Sequence, residues 1–346
     1  MPMRGEKNVC RDFVDAIFRE FDSRKDGFFK DNVETLYIGG GTPSVLPELE
    51  LSRLLSKFTL PSISEITVEV NPEDVDDSLI NVLIDHGVNR VSMGIQSFNS
   101  ELLKFVGRRH SADDITRAVL SLRQAGITNI SCDLIFGLPG DTLDGWQYSV
   151  NRFLELGLPH LSAYLLSYEP GTRLTAMRNS GKIKETPDKL VVAMYEYLIE
   201  RVAQHGYDHY EISNYAIPGF HSRHNSSYWN GSVYLGLGPG AHSFNGVTRS
   251  FNPSSLKQYL QQKGVDVAIS EPLSENDQIN DLIITSMRTA NGLSLSKLPA
   301  EDINRIKRDA VSHFRNGRLC MSADNRLYIP EKYFLVSDSI IVDMIR

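Results

Sequence analysis

Polar residues stand where several predicted strands end, and they are of types that bind ligands. Glu69, Gln96 and Asp133 each lie at or beside the carboxyl end of a β-rich run, and Ser167 follows a fourth run. Carboxylates at such positions accept hydrogen bonds from hydroxyl or ammonium groups. Each residue alone is better explained as a capping or core hydrogen-bond partner. The four together indicate one ligand site on the rim of a parallel-stranded barrel.

A glycine-rich loop, Gly39-Gly-Gly-Thr-Pro43, directly follows another predicted strand. Its glycines let backbone amides and carbonyls approach a ligand closely, and Thr42 adds a hydroxyl. A tight turn between strand and helix explains the loop equally well. The loop is not a Walker phosphate loop, because no Gly-Lys-Ser/Thr follows, and it is not a dinucleotide-binding fingerprint, because its glycines are spaced differently.

The elements that must position these residues repeat along the first two thirds of the chain. Four helical patterns end in a glycine, at positions 87, 126, 157 and 206, and each leads into a short β-rich run. Glycine adopts the left-handed conformation at low cost, so the chain turns directly from helix to strand. With earlier strands at 35–38 and 65–70, this alternation predicts a parallel α/β sheet. Polar, glycine-rich segments after nearly every strand favour a barrel over an open sheet.

The chain changes character after residue 245. Helical patterns at 274–289 and 300–316 are followed by two short β-rich runs at 319–321 and 327–329 and by a last helix. This order predicts a small winged-helix-like α+β domain over residues 246–346, after a barrel over residues 1–245. Nucleic-acid binding by this domain is disfavoured, because its Lys and Arg residues are interspersed with acids.

Five motifs carry a family resemblance: Gly39-Gly-Gly-Thr-Pro43, Glu69-Val-Asn-Pro-Glu73, Gly94-Ile-Gln-Ser-Phe98, Gly107-Arg-Arg-His110 and Asp133-Leu-Ile-Phe-Gly-Leu-Pro-Gly140. In this order and spacing they resemble the HemW-type haem chaperones and oxygen-independent coproporphyrinogen III oxidases of the radical SAM superfamily. The resemblance covers nearly the whole chain and implies a partial (β/α)6 barrel that binds S-adenosylmethionine. By this resemblance, its methionine moiety contacts Gly40, Gly41 and Thr42, and its polar groups contact Glu69, Gln96, Arg108, Asp133 and Ser167.

A segment over residues 207–245 resembles the HemW branch and contains His224-Asn-Ser-Ser-Tyr-Trp229. The resemblance implies that haem is bound by His224, Asn225, Tyr228 and Trp229. The chemistry agrees, because a neutral imidazole is a common axial ligand of haem iron and aromatic rings stack on a porphyrin. His224 is preferred over the other candidate histidines, His110, His221 and His242. Packing of the two aromatic residues in the core, with the histidine capping a loop, is the alternative.

One element of the family pattern is missing from this sequence. The resemblance implies a Cys-x-x-x-Cys-x-x-Cys motif that holds a [4Fe–4S] cluster, but the chain has only Cys10, Cys132 and Cys320, far apart. No cluster-binding metal site is therefore expected in this chain, which is predicted to be inactive in radical chemistry. The first barrel strand is expected to be missing too, leaving 35–38 as a sheet edge. A truncated start is preferred over natural loss as the explanation.

Composition bounds the function further. The net charge is −7, no apolar run approaches the ~18 residues of a membrane span, and three scattered cysteines indicate a reducing cytoplasm rather than a secreted disulfide protein. The leading hypothesis is a HemW-like haem chaperone that binds haem and S-adenosylmethionine and delivers haem to an apo-protein. The alternatives are an oxygen-independent coproporphyrinogen III oxidase, which decarboxylates a porphyrin precursor, and a catalytically dead binding or scaffold protein.

Overall fold

The computed structural model describes residues 7–28 and 33–346. Through the barrel the elements are α1 (Lys7–Arg24), β1 (Thr35–Ile38), α2 (Glu48–Phe58), β2 (Glu65–Val70), α3 (Asp77–Asp85), β3 (Arg90–Gln96), α4 (Ser100–Phe105), α5 (Ala112–Gln124), β4 (Asn129–Phe136), α6 (Leu143–Glu155), β5 (His160–Leu165), α7 (Arg173–Asn179), α8 (Asp188–Gln204), β6 (Asp208–Glu211), β7 (Asn214–Ala216) and α9 (Arg223–Trp229). Beyond them lie β8 (His242–Phe244), β9 (Thr248–Phe251), α10 (Leu256–Gln261), β10 (Ile269–Pro272), α11 (Glu275–Met287), β11 (Leu293–Ser294), α12 (Ala300–Asp309), α13 (Val311–Arg315), β12 (Cys320–Met321), β13 (Arg326–Tyr328) and α14 (Ser337–Val342). Within these ranges, every helix falls short of the length and apolarity that a membrane crossing needs.

The main sheet, within the described residues, has seven strands in the order β1-β2-β3-β4-β5-β7-β6. Strands β1 to β5 pair in parallel, each with the next along the chain. Strand β7 pairs antiparallel with both β5 and β6, so it lies between them. The predicted partial barrel is confirmed, with the short return strand β7 as an addition that the helix-and-strand repeat did not predict.

The two faces of the barrel strands differ in polarity. Alternate residues of β2 to β5 are apolar and buried against the helices: Ile66, Val68, Val70, Val91, Met93, Ile95, Ile130, Cys132, Leu134, Phe136, Leu161 and Ala163. The residues between them are mostly polar: Glu65, Thr67, Glu69, Arg90, Ser92, Asn129, Ser131, Asp133, His160, Ser162 and Tyr164. Because successive side chains of a strand point to opposite faces, these polar residues line the concave side of the curled sheet. The site is built on that side.

Local signals explain where the helices begin and end. Ser111 and Asp114 form a capping box at the start of α5, and the Asp76 carboxylate accepts from the backbone N–H of Leu79 at the start of α3. The four predicted turn glycines all have positive φ, including Gly126 at +90° and Gly206 at +81°. The left-handed turn from helix into strand therefore occurs where the sequence pattern predicted it.

The C-terminal region has the predicted winged-helix-like order of elements. Helix α11 is followed by α12, α13, the β12–β13 hairpin and α14, and β11 adds an unpredicted third strand to the hairpin. The single helix expected at 300–316 is two helices, because the chain turns at Ala310. Strands β8 and β9 form a hairpin across residue 245, and the domain boundary placed there stays a prediction.

A buried carboxylate ties α1 to the segment that follows the barrel. Glu20 is fully buried and forms an ion pair with Arg24 on the same helix. Its oxygens also accept hydrogen bonds from the backbone N–H of Gly238 (2.8 Å), the amide of Asn252 (2.7 Å) and the hydroxyl of Tyr259 (2.7 Å). Each oxygen has several donors, so the buried charge is satisfied.

Strand β1 lies at the edge of the sheet, as predicted. Within the described ranges, no strand pairs with its outer side. Helix α9 packs against β1 instead. The Thr35 side chain bonds the His224 ring, and that ring stacks on Tyr37. The contact brings the predicted haem segment to the strand that precedes the glycine-rich loop.

Candidate functional site

The glycine-rich loop and the end of β2 form one side of the candidate site. The Glu69 carboxylate accepts from the Tyr37 hydroxyl at 2.7 Å and from the backbone N–H of Gly40 at 3.1 Å. Gly39 must lack a side chain, because a Cβ there would lie 2.5 Å from a carboxylate oxygen of Glu69. Burial, and then the nearby Asp133, raise the pKa of Glu69. The loop backbone therefore contacts a half-buried carboxyl group, and its contact with a ligand stays a prediction.

Two other predicted ligand residues, Gln96 and Arg108, both lie close to Gly94. A Cβ at Gly94 would lie 3.1 Å from the Gln96 amide nitrogen and 3.5 Å from a guanidinium nitrogen of Arg108. Gln96 has φ +69°, which is strained for a residue with a side chain, and it follows an irregularity in the β3–β4 register. Arg108 donates to the Asn71 amide oxygen at 2.7 Å. Within the described residues it forms no salt bridge, so its charge can still bind a carboxylate.

Asp133 begins a hydrogen-bonded network on the concave face. Its carboxylate accepts from the hydroxyl groups of Ser92, at 3.0 and 3.1 Å, and of Ser131, at 3.3 Å. Burial raises the pKa of Asp133 despite these donors. The Ser131 hydroxyl bonds His160 Nδ1 at 2.7 Å, and His160 Nε2 bonds the Tyr210 hydroxyl at 2.8 Å. The network thus runs from the predicted S-adenosylmethionine residue to the segment before α9.

A third carboxyl group, Glu211, lies beside this network and has unmet hydrogen-bonding capacity. Its side chain is 1% exposed, and burial raises its pKa to about 7. Its Oε1 atom and the Oδ1 atom of the neighbouring Asn214 are buried without a hydrogen-bond partner among the described residues. Asn214 and Trp229 lie close enough to lower that pKa in part. Buried polar atoms without partners are rare in proteins, which sets this Oε1 atom apart from the carboxylate oxygens that accept hydrogen bonds.

Helix α9, which carries the predicted haem residues, is held by a carboxylate of the barrel. Glu65 on β2 accepts from the backbone N–H groups of Arg223 and His224, both at 2.9 Å, and from the Ser222 hydroxyl at 3.3 Å. The first N–H groups of a helix have no partner inside it, so a carboxylate there is favourable. The Ser222 hydroxyl in turn accepts from the backbone N–H of Asn225 at 3.1 Å. The start of α9 is thus fixed to the sheet.

The His224 ring is enclosed on three sides. Its ring lies 4.8 Å from that of Tyr37 in a stacked arrangement, and its two nitrogens bond the Thr35 hydroxyl at 2.9 Å and the Tyr228 hydroxyl at 3.0 Å. Burial lowers the pKa of His224 to about 4, so the imidazole is neutral at physiological pH. A neutral imidazole is the form that binds iron. His224 therefore has an appropriate protonation state, but both nitrogens have partners.

The other predicted residues of α9 are not core residues. None of the α9 side chains is fully buried, and Tyr228 is 41% exposed. Its ring contacts that of Tyr234 edge to face at 4.8 Å, and Tyr234 contacts Phe244 at 6.5 Å. This aromatic row joins α9 to β8, and Tyr228 is its exposed member. Trp229 is half-buried, and haem contact by these aromatic residues stays a prediction.

The competing histidines have other surroundings. His110 is buried between the Glu73 carboxylate and the Ile95 carbonyl. His221 stacks on Tyr210 and pairs with an aspartate, whereas His242 is exposed and stacks on Phe251.

Of the remaining residues predicted to bind S-adenosylmethionine, Gly41 and Ser167 are exposed at the rim and Thr42 is half-buried. Their ligand contacts stay predictions.

The three cysteines lie on separate elements, at Cys10 in α1, Cys132 in β4 and Cys320 in β12. Among the described residues no group of three His, Cys, Asp or Glu side chains is placed to hold a metal ion. These residues do not fit a [4Fe–4S] cluster, which needs closely spaced thiolates. The residues around the glycine-rich loop do fit S-adenosylmethionine, because Arg108 can pair with its carboxylate and Glu69 or Asp133 with its ammonium or hydroxyl groups.

Sequence reasoning missed several residues that build the site. Thr35 bonds His224, and Tyr37 bonds Glu69. Glu65 holds the start of α9. His160 and Glu211 are further buried polar residues beside the site. One signal was present in the sequence: polar residues alternate with apolar ones along β2 to β5. That period of two predicts a polar concave face. It does not predict which of these side chains meet.

Comparisons with known proteins agree with this architecture. Residues 13–153 match the Radical SAM superfamily. A Lactococcus lactis protein named heme chaperone HemW is 34% identical over 336 residues, covering 95% of this chain and 88% of that protein. A Bacillus subtilis protein of the same name is 34% identical over 291 residues, covering 82% of this chain and 77% of that protein.

A solved structure has the same fold. It is coproporphyrinogen III oxidase (HemN) from Escherichia coli, described as a radical SAM enzyme, with a TM-score of 0.83. The match covers 98% of this chain and 84% of that one at 24% sequence identity. At this identity the likeness shows the fold, a radical SAM partial barrel with a further C-terminal domain.

Proposed function

Because this chain belongs to the HemW family of the radical SAM superfamily, we propose that it binds haem through His224 and delivers it to an apo-protein. The observation that carries the proposal is the setting of His224. The imidazole is neutral and is held on strand β1 by Tyr37 and Thr35. It also contacts Tyr228, the exposed member of the row of aromatic residues. A porphyrin needs an axial nitrogen donor and flat apolar contacts. Tyr228 and Trp229 would supply those contacts, and Asn225 would line the same helix.

S-adenosylmethionine is proposed as the second ligand, at the rim formed by the glycine-rich loop and the end of β2. Arg108 would pair with its carboxylate, Glu69 and Asp133 with its donor groups, and Gly40, Gly41 and Thr42 with its methionine moiety. Gln96 and Ser167 would complete the rim. The ligand would bring a sulfonium cation into an interior rich in carboxyl groups. The described residues do not provide the ligands of a cluster, so the proposal includes no radical step.

The polar network gives the two proposed ligands a physical connection. Tyr37 donates to Glu69 and stacks on His224, and the network from Asp133 reaches the hydroxyl of Tyr210, which accepts from the backbone N–H of Ser222. These contacts support a coupling between the two proposed ligand sites. A cytoplasmic location is part of the proposal and is supported by the scattered thiols.

Haem titration tests the first ligand. Wild-type protein should shift the Soret band of added haem, whereas His224→Ala should lose the shift. The matched control is His242→Ala, which removes an exposed imidazole and should retain it. A Soret shift in His224→Ala equal to that of wild type would contradict the assignment of His224 as the haem ligand. Absence of any shift in wild type would favour the scaffold alternative.

Equilibrium dialysis with labelled S-adenosylmethionine tests the second ligand. Arg108→Ala should weaken binding by roughly tenfold or more, since a charge-assisted bidentate contact is lost. Arg109→Ala is the control, because Arg109 is exposed and pairs with Glu73 at the surface. Equal affinities of the two variants would contradict the proposed carboxylate site. Coproporphyrinogen III oxidation is the alternative, and product formation by this chain would establish it.

A further inference from the structure

Both ring nitrogens of His224 are in hydrogen bonds, and their partners differ in position. Nδ1 faces Thr35 on strand β1, against the barrel wall, at 2.9 Å. Nε2 faces Tyr228 on the same helix, at 3.0 Å, and Tyr228 is 41% exposed. Haem is a broad, rigid plate, so its iron can approach only from the open side. Nε2 is therefore the nitrogen that an incoming iron would reach.

A neutral imidazole has one N–H group and one lone pair, and only the lone pair binds a metal. The Tyr228 hydroxyl can donate to a lone pair on Nε2. In that tautomer the proton lies on Nδ1, where it is donated to the Thr35 hydroxyl oxygen. In many metal sites a partner at the second nitrogen fixes the histidine tautomer in this way.

The imidazole itself is held independently of Tyr228. Tyr37 stacks on the ring at 4.8 Å with an interplanar angle of 19°. Glu65 fixes the backbone at the start of α9 through the N–H of His224. Tyr228 lies one helical turn later and makes an edge contact with Tyr234. A rotation of the Tyr228 side chain therefore releases Nε2 and leaves the imidazole in place.

Resting on the proposed haem binding, we propose that the Tyr228 hydroxyl caps the iron-binding nitrogen of His224 and must move aside for haem. In the same proposal, Thr35 is a positioning residue that keeps the proton on the other nitrogen. The cap makes haem binding a competition: the iron–nitrogen bond forms as the Tyr228–Nε2 hydrogen bond breaks. No proton leaves His224, since Nδ1 retains it.

Stopped-flow mixing with haem, followed at the Soret band, tests the cap. Tyr228→Phe retains the ring but removes the hydroxyl, so haem should bind faster and about fivefold more tightly, the worth of one net hydrogen bond. The control is Tyr148→Phe, which removes an exposed hydroxyl on α6, and its constants should stay within about twofold of wild type. Slower or weaker binding by Tyr228→Phe would overturn the cap.

Two substitutions at Thr35 test the tautomer. Thr35→Val has the same shape without the hydroxyl and should weaken haem binding by roughly tenfold or more, as for other residues that orient a metal-binding histidine. Thr35→Ser keeps the hydroxyl and should restore the affinity. Resonance Raman spectra should show a weaker iron–histidine bond in the valine variant alone. Equal spectra and affinities for valine and wild type would overturn the positioning role.

His224→Ala distinguishes failure of this inference from failure of the proposed function. Loss of the Soret shift in His224→Ala, together with unchanged binding in Tyr228→Phe and Thr35→Val, would overturn the cap and the positioning role while the haem site stands. A retained shift in His224→Ala would overturn both. Circular dichroism melting of each variant shows that it is folded.

Discussion

Two buried carboxyl groups in this molecule have opposite surroundings. Glu20 on α1 has donors from Arg24, Asn252 and Tyr259 and from a backbone N–H. Glu211, at the end of β6, is equally buried, but one of its oxygens has no partner and its pKa is raised to about 7. The chain can therefore satisfy a buried carboxylate fully. Glu211 therefore differs from Glu20 in that one of its buried oxygens lacks a hydrogen-bond partner among the described residues.

The first and largest expected effect tests whether the Glu20 cluster is structural. Glu20→Ala leaves the Arg24 charge without its carboxylate and removes the acceptor of three further donors, so the free energy of unfolding should fall by about 3–5 kcal/mol. Urea denaturation measures the change. Lys104→Ala is the control, because its pair with Glu101 is exposed and should contribute at most about 1 kcal/mol. A Glu20 effect as small as that of Lys104 would contradict the comparison.

The second prediction concerns the pH dependence at Glu211. Its folded pKa of about 7 exceeds the ordinary 4.5, so the folded state holds the proton more tightly. Its contribution to stability is therefore greatest below pH 4.5 and is lost as pH rises towards 7. The glutamine in Glu211→Gln does not titrate. The free energy of unfolding of this variant, relative to that of wild type, should therefore rise by about 3 kcal/mol between pH 4 and pH 8.

Urea denaturation at a series of pH values checks this difference. Glu101→Gln serves as the control, because that carboxylate is exposed and its pair contributes little. If the stability difference between Glu211→Gln and wild type is the same at pH 4 and pH 8, Glu211 is not a strained buried acid.

A third prediction tests the shape of the ligand pocket. Gly39→Ala places a Cβ where the Glu69 carboxyl and the Tyr37 ring lie, so Glu69 must leave the Gly40 amide. Loss of the hydrogen bonds from Gly40 and Tyr37 to Glu69 should lower the free energy of unfolding by about 1–2 kcal/mol. It should also weaken S-adenosylmethionine binding by roughly tenfold. Dialysis and urea denaturation measure the two effects. Gly27→Ala, where an added Cβ meets no atom of the described residues within 4 Å, is the control.

The smallest expected effect refines the comparison on the structural side. Tyr259→Phe removes one donor from Glu20, whose Oε2 atom keeps the backbone N–H of Gly238. The free energy of unfolding should fall by about 1 kcal/mol, because the carboxylate stays partnered. Thermal or urea unfolding measures this, and haem and S-adenosylmethionine affinities should not change. A change in either affinity would show that the two regions are coupled.

Much of the fold was predictable from local patterns. The glycine that ends each helix, the capping box at Ser111 and the β-rich runs depend on backbone conformation within a few residues. The strand β7 and the break at Ala310 were not predicted, because their short runs carry no clear period. Their structure depends on partners distant in sequence.

The candidate site was predictable by residue type and not by contact. Motifs identified Glu69, Gln96, Arg108 and Asp133. Of these, Glu69 and Asp133 lie on the concave face of the sheet. The contacts that tune them come from residues outside the motifs, such as Tyr37 for Glu69. Residue types alone do not specify which side chain of one strand meets which side chain of the next.

The sequence by itself determined the alternation of helices and strands, the polar face of the sheet and the family, since each depends on local conformation or ordered motifs. Only the tertiary structure decided that Glu65 holds α9, that Thr35 and Tyr228 share His224, and that Glu211 is buried with an unpartnered oxygen. Thr35 and His224 are 189 residues apart in the chain. Hydrogen bonds and burial depend on distance in space, which curling of the sheet sets and sequence spacing does not.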